Sequence, residues 1–197
     1  NPTGVMSLRD FVGEFQAKTV AIKTLQIGSA NIKTPNLEVV QQPMSHLSAS
    51  YNTHTDGIMG IEVFKDFATE INFEKKQIFL HPKGSNPIAK KKGDGKKSFV
   101  IPMLPVGHNS VELPVTTPSG EQMILALDTG NAFYATTHKD VLERVGVWKA
   151  GEKPNFMGTA FVASGPVATF FMYMKDMSIW GVPVPGSVWS IIDLPSS

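Results

Sequence analysis

The chain contains no cysteine among its 197 residues. Disulfide bonds and thiol catalysis are therefore excluded, and the sequence does not indicate a redox compartment. The formal net charge of +1 at pH 7 disfavours a general nucleic-acid surface. No run of about 18 apolar residues occurs, so no membrane-spanning helix is predicted. Hydrophobic residues make up 42% and charged residues 18% of the chain, which is typical of a globular protein with a core.

Histidine is also sparse, and the five histidines include no pair with the helical spacing of metal ligands. They are His46, His54, His81, His108 and His138. We interpret them as surface or loop residues, so no metal site and no cofactor is expected. Ser164 and Ser187 lack the sequence context of a nucleophile elbow.

A polar, lysine-rich segment divides the sequence. Residues 91–97 are interpreted as a solvated basic linker, because no aromatic residues interleave the lysines as they do in nucleic-acid-binding patches. The predicted domains are residues 1–90 and 98–197. The chain begins at Asn1 and ends in an apparent loop, so we expect it to be a piece of a longer precursor.

The first part of the chain is rich in strand patterns. Strands are predicted over 15–23, 25–28, 31–33 and 37–40. The polar stretch 43–55 is predicted to be a loop. The apolar residues Ile61, Phe64 and Phe67 have the spacing of one or two helical turns. A hairpin with a charged turn is predicted over 68–80.

The second part continues with strands and one short helix. Strands are predicted over 98–101, 111–117, 123–127, 167–180 and 187–192. Thr137 is the predicted N-cap of a helix, with the Asp140 carboxylate three residues later. Val141, Leu142 and Val145 would form its apolar face, and Gly146 would end it. Together these patterns predict an all-β fold with two or three short helices.

The tripeptide Asp128-Thr129-Gly130 has the clearest chemical meaning. It follows the apolar run 123–127 and so places a carboxylate in a turn at the end of a strand. Two carboxyls in contact share a proton, so that one can activate water while the other polarises a peptide carbonyl. Gly permits a sharp turn, and the Thr hydroxyl could bond to a matching turn. An ordinary strand-ending turn favours the same residue types, so both interpretations stay open on the tripeptide alone.

Two stretches resemble the pepsin/retropepsin superfamily of aspartic peptidases, most closely the bacterial members with retropepsin-type repeats. Residues 124–132 resemble the catalytic loop of that family, with Asn131 where Ala or Ser is usual. Residues 56–64 and 71–80 resemble its second-half motif. In that motif two apolar residues and a Gly, here Ile58, Met59 and Gly60, thread beside the catalytic loop. The resemblance implies lobes that are closed acid-protease β-barrels.

The resemblance also implies a site. Asp128 would be a general acid/base, with Thr129 and Gly130 as the scaffold of its loop, and a peptide or protein would be the substrate. The segment after the predicted helix, residues 157–165, resembles the flap hairpin that closes over substrate. Its substrate-binding candidates are Gly158, Thr159 and Ala160. A plain surface hairpin is the alternative for this segment.

The order of the two motifs is the reverse of that in one family lobe, and a single Asp-Thr-Gly is present. Residues 1–90 are therefore interpreted as the second half of a lobe and residues 98–197 as the first half of a lobe. The two halves are either parts of two different lobes or together one circularly permuted lobe. The second carboxylate would come from a missing N-terminal segment or from the partner in a homodimer. Family analogy further suggests an exported, periplasmic protein.

Three functions follow from these patterns. The first is an aspartic endopeptidase domain in which Asp128 is one of two paired carboxylates. The second is a catalytically inactive domain of the same fold, used for peptide binding or assembly. The third is an unrelated β-sandwich binding module, in which Asp128 is a plain turn residue.

Overall fold

The computed structural model describes residues 2–32, 37–87, 99–104 and 110–196. Strands are the main regular structure of these residues and are accompanied by three short helices, so the coarse prediction of a β protein with two or three helices is confirmed. The helices are α1 (Ser45–Tyr51), α2 (Ile61–Phe64) and α3 (Lys139–Arg144). No helix in these ranges is long and apolar enough to span a bilayer.

The strands of the described residues form five sheets. They are β1 (Gly4–Arg9), β2 (Glu14–Ala21), β3 (Leu25–Ile27), β4 (Ala30–Ile32), β5 (Glu38–Gln41), β6 (Phe67–Asn72), β7 (Gln77–Pro82), β8 (Glu112–Thr116), β9 (Gln122–Ala126), β10 (Ala135–His138), β11 (Phe156–Val162), β12 (Gly165–Met174), β13 (Ser178–Ile179), β14 (Val182–Pro183) and β15 (Ser187–Ile192). The strand orders are β1-β2-β5, β10-β15-β12-β11, β14-β13-β8-β9, β3-β4 and β6-β7. Each sheet is open at both edges, so the described residues do not form the closed barrel that was predicted.

The chain separates into two compact units. Unit 1 comprises residues 1–6, 17–42 and 56–100, and unit 2 comprises residues 7–16, 43–55 and 101–197. The linker predicted at 91–97 lies outside the described residues.

Unit 1 contains the hairpin and the helical turns that were predicted from local patterns. Strands β6 and β7 pair antiparallel from Phe67 opposite Pro82 to Asn72 opposite Gln77. The turn between them is closed by the Asn72 side chain, whose Oδ1 accepts a hydrogen bond from the Lys75 N–H at 2.9 Å. Helix α2 precedes this hairpin and buries Val63.

Helix α1 corrects the prediction of a loop over 43–55. The helix buries Leu47. It ends at Asn52, which adopts a left-handed conformation with φ 49° and donates its N–H to the Ala49 carbonyl. Asn tolerates this conformation, so it is a favourable residue to end a helix. The segment was misjudged because a single buried Leu gives no helical periodicity.

The core of unit 2 lies where α3 packs with its two four-stranded sheets. It is built from the buried side chains of α3, β12 and β15 and of the segments beside them. These residues include Leu142, Val145, Trp148, Met172, Met174, Trp189 and Ile191. In the sheet β10-β15-β12-β11, β15 is an inner strand that pairs parallel with β10 and antiparallel with β12. Residues distant in sequence therefore hold β10 and α3 in place.

Two predictions are wrong at the residue level. The N-cap of α3 is His138 and not Thr137, because Thr137 is buried in β10 and pairs with Ile191 of β15. The strand predicted at 98–101 is not formed by its described residues, and Val100 is 88% exposed. Apolar side chains at 99–101 find no partner strand among the described residues. The end of the helix is as predicted, with Gly146 at φ +70° directly after it.

A buried hydroxyl pair links β12 to β15. The Thr169 Oγ1 lies 2.8 Å from the Ser190 Oγ and donates to the Ile191 carbonyl at 2.9 Å. We expect Thr169→Val to lower the free energy of unfolding by about 1–3 kcal/mol, because the Ser190 hydroxyl is then buried without this partner. Urea unfolding followed by tryptophan fluorescence measures the change.

The matched control for this prediction is the double variant Thr169→Val/Ser190→Ala, which removes both hydroxyls. It should recover part of the stability that Thr169→Val loses. If the separate effects of Thr169→Val and Ser190→Ala on the free energy of unfolding simply add in the double variant, the hydroxyl pair carries no coupling energy and the prediction is contradicted.

Candidate functional site

Asp128 is placed at the end of a well-formed hairpin. Strands β8 and β9 pair antiparallel from Glu112 opposite Ala126 to Thr116 opposite Gln122. The pairing continues one residue further, since the Leu127 N–H donates to the Val111 carbonyl at 2.7 Å. Asp128 comes immediately after this last bond, so its backbone is anchored on one side by the sheet. This is the strand–turn placement that the sequence predicted.

Gly130 fixes the Asp128 carboxylate from the other side. The Gly130 N–H donates to the Asp128 Oδ1 at 2.8 Å, which closes a turn of the kind that Asp side chains form with the backbone. A Cβ atom at position 130 would lie 3.2 Å from the same oxygen, which is tighter than ordinary contact. A larger residue would therefore press on the carboxylate, and this gives a physical reason for Gly at this position.

Asn131 forms a second turn that joins the loop to β10. Its Oδ1 accepts hydrogen bonds from the Phe133 N–H and from the Thr136 hydroxyl, each at 3.1 Å. The two consecutive turns hold the loop between Asp128 and Ala135 through side-chain oxygens. Asn131 is therefore a scaffold residue of the loop. The sequence contained this signal, because Asn often bonds to a backbone N–H two residues later.

The matching turn and the second carboxylate that the resemblance implies have no hydrogen bond to Thr129 or Asp128 within the described residues. Thr129 is exposed and forms no side-chain hydrogen bond with any residue in the described ranges. Within the same ranges, no carboxylate hydrogen-bonds to Asp128. In the part of the chain that the structure describes, Asp128 is thus a single, exposed carboxylate and not one of a pair.

Asp128 lines a cleft of about 510 Å³ in unit 2. The cleft is bounded by β8, β9, β10 and α3, and most of the side chains around it are apolar. They include Phe11, Val115, Leu125, Tyr134, Val141 and Trp189. Arg144 and His138 also border it. A carboxylate beside an apolar cleft of this size is suited to chemistry on a ligand with apolar side chains.

The flap candidates do not lie at the cleft that Asp128 lines. The segment 157–165, predicted to be a hairpin by itself, supplies β11 and the turn of a longer hairpin formed by residues 156–162 and 165–174. Gly158, Thr159 and Ala160 lie within β11, opposite Thr169, Ala168 and Val167. None of the three lines the cleft that contains Asp128. A Cβ at position 158 would meet the Phe171 ring at 2.8 Å, so Gly158 serves the packing of the hairpin. A flap role for these residues stays a prediction.

The threading residues implied by the resemblance lie in unit 1. Ile58 is 69% exposed and Met59 is 52% exposed, and Gly60 is the N-cap of α2. The two apolar side chains are therefore not packed into a core. In the described residues no group of three His, Asp or Glu side chains is arranged to hold a metal ion.

A cluster of polar contacts joins α3 to residues 193–196. The Asp140 Oδ2 accepts hydrogen bonds from the Ser196 N–H at 2.9 Å and from its hydroxyl at 2.5 Å. His138 Nδ1 lies 2.9 Å from the Leu194 carbonyl oxygen. Lys139 and Asp193 form an ion pair at 3.4 Å. These contacts hold the segment after β15 against the start of α3.

The pKa of Asp140 lies below its ordinary value of 3.8. The main cause is the Ser196 hydroxyl, with further help from N–H groups and the nearby His138, while slight burial opposes the change. Since the folded pKa is lowered, the contact stabilises the fold above pH 3.8 and is lost as the pH falls through the folded pKa. We expect Asp140→Asn to destabilise the protein at neutral pH.

The destabilisation by Asp140→Asn should shrink as the pH is lowered below about 4, where wild type also loses the charge. Thermal unfolding across this range measures the effect. Glu143→Gln, on the same helix, is the control, and its difference in thermal stability from wild type should not shrink as the pH is lowered. A pH-independent difference between wild type and Asp140→Asn would contradict the role of the charge.

The chain was compared with known protein families, curated proteins and solved structures, and none of them matches it.

Proposed function

We propose that this chain supplies Asp128 as one of the paired carboxylates of an aspartic endopeptidase with a pepsin-like fold. The observation that carries the proposal is the position of Asp128 at the end of the β8–β9 hairpin and at an apolar cleft. The hydrogen bond from the Gly130 N–H supports it further, because it holds the carboxylate in one orientation.

The reaction follows from the chemistry of two carboxyls that share one proton. The ionised group removes a proton from a water, whose oxygen attacks the carbonyl carbon of the peptide. The protonated group gives its proton to the carbonyl oxygen, which yields a neutral tetrahedral diol. Proton transfer to the nitrogen and cleavage of the C–N bond then release an amine and a carboxylic acid. No covalent intermediate with the protein forms.

The second carboxylate would come from a second copy of the chain or from a further segment of a longer protein. Both sources place the same demand on Asp128, which must be reachable by another carboxyl. Its exposure at the edge of unit 2 is consistent with this demand. Cleavage of a mixed peptide library at several pH values, read by mass spectrometry, tests the proposal. Wild type should cut the library and Asp128→Asn should not.

A catalytically inactive peptide-binding domain of the same fold is the second candidate. It is favoured by one observation: Asp128 has no carboxylate partner within the described ranges, although the cleft is already formed. The peptide-library experiment distinguishes the two candidate functions. Peptides that bind wild type and Asp128→Asn equally, and that wild type leaves uncut, would establish binding and exclude cleavage.

A further inference from the structure

The turn between β1 and β2, residues 10–13, brings an aromatic side chain to the cleft from a distant part of the sequence. Phe11 lines the cleft that Asp128 lines. Its ring lies over the His138 ring, with the centroids 5.5 Å apart and the planes inclined by 36°. Phe11 is also 38% exposed, so part of the residue is available to a ligand.

Asp10 determines where this turn lies. Its Oδ1 accepts hydrogen bonds from the Val12 N–H at 2.9 Å and, less closely, from the Gly13 N–H at 3.4 Å. Its Oδ2 accepts a hydrogen bond from the Ser164 N–H at 2.8 Å, in the turn between β11 and β12. One carboxylate thus closes its own turn and ties that turn to a hairpin 154 residues away.

The charge of Asp10 strengthens these contacts. Partial burial opposes the charged form, but the hydrogen bonds from Ser164, Val12 and Gly13 outweigh it, and the pKa lies below the ordinary value of 3.8. The carboxylate is therefore ionised at neutral pH. Hydrogen bonds to an ionised acceptor are about twice as strong as those between neutral groups. The turn that carries Phe11 is consequently held by charge-assisted bonds at both of its ends.

We propose that Phe11 is a ligand-contacting wall of the Asp128 cleft, which packs on an apolar side chain of a bound peptide, and that Asp10 is a positioning residue that holds Phe11 there. The peptide as ligand rests on the proposed function. The contact itself rests on the presence of Phe11 in the same cleft lining as Val141 and Trp189. A ligand side chain that enters this cleft would lose contact with water, which is the source of the affinity.

The first test measures peptide binding in the Asp128→Asn background, so that cleavage cannot interfere. Two peptides are compared that differ only in one residue, Leu or Ala, taken from a sequence that the library experiment retains. Phe11→Ala should weaken binding of the Leu peptide about tenfold and leave the Ala peptide nearly unchanged. Phe73→Ala is the matched control, because Phe73 is 76% exposed in unit 1. Tryptophan fluorescence can report binding, since Trp189 lines the cleft.

A second experiment measures dye binding and needs no peptide ligand. Binding of an anilinonaphthalene sulfonate dye to the full chain should weaken in Phe11→Ala and not in Phe73→Ala. If this dye effect is found while no peptide binds, the cleft wall is supported and the proposed peptidase function fails alone. Unchanged or tighter binding of the dye in Phe11→Ala would overturn the inference, since tighter binding would mean that Phe11 occludes the cleft.

The role of Asp10 is tested by a double-mutant cycle. Asp10→Asn should weaken dye binding in the wild-type background and have no further effect in Phe11→Ala, because Asp10 acts through Phe11. A general loss of structure would instead give additive effects in the two backgrounds. Additive effects, or no effect of Asp10→Asn alone, would overturn the positioning role.

Discussion

Asp128→Asn is expected to lower the rate of peptide cleavage by about 10²–10⁴-fold, the contribution typical of a group that transfers a proton in the transition state. Asn has nearly the same shape as Asp. Its side-chain oxygen can still accept the hydrogen bond that the Gly130 N–H donates to Asp128 at 2.8 Å. The loop should therefore be preserved while the carboxylate is lost, so the substitution separates chemistry from folding.

The measurement is kcat/KM for one peptide chosen from the library, determined at several pH values with wild type and Asp128→Asn. Asp193→Asn is the matched control, because Asp193 is an exposed carboxylate of unit 2 that does not line the cleft. It should cleave at nearly the wild-type rate. Equal rates for wild type and Asp128→Asn would remove Asp128 from the mechanism, whatever the source of the activity.

The same variant identifies the source of the second carboxylate. If two copies of Asp128 face each other in a homodimer, an equal mixture of wild-type and Asp128→Asn chains forms about one quarter wild-type dimers. Activity per wild-type chain should then fall and should depend on protein concentration. If the second carboxyl belongs to a further segment of the same chain, the added variant should have no effect. The mixing experiment thus distinguishes the two accounts without a structure of the complex.

Local sequence patterns were sufficient for those elements whose partners are close in the chain. The hairpins β6–β7 and β8–β9 were predicted from alternation and from the turns at 74–76 and 118–120, since each strand pairs with its sequence neighbour. The placement of Asp128 followed from the second hairpin. These predictions depended on interactions within about 20 residues, which the sequence displays directly.

Elements that depend on distant residues were predicted less well. Thr137 is a favourable residue type for a helix cap, but the parallel pairing of β10 with β15 extends the strand to His138. The segment 99–101 is apolar but has no partner strand among the described residues. Phe11 carries no sequence signal for the site, because its approach to His138 spans 127 positions of the sequence and follows no motif. Long-range pairing therefore determined both the errors and the unpredicted part of the cleft.

The largest effect on stability is expected from Leu142→Ala, which should lower the free energy of unfolding by about 2–5 kcal/mol. Leu142 has no exposed surface and lies in the core cluster of unit 2. Its carbonyl oxygen accepts the Val147 and Trp148 N–H groups at 2.9 and 3.0 Å, and these bonds do not depend on the side chain. Alanine is also a good helix former, so the loss should come from the apolar burial that is removed and from the cavity, and not from helix propensity.

The cavity left by Leu142→Ala should also weaken dye binding at the Asp128 cleft. Val141 and Arg144, which lie beside Leu142 in α3, both border the cleft. A helix that packs less tightly on the core would hold these two residues less firmly, so dye binding at the cleft should weaken together with stability. Glu143→Ala is the matched control, because Glu143 is exposed on the same helix, and it should change stability by less than about 0.5 kcal/mol. Urea unfolding and dye titration of the two variants measure both effects. If Leu142→Ala lowers the free energy of unfolding by the expected amount but leaves dye binding unchanged, α3 supports the fold without shaping the cleft.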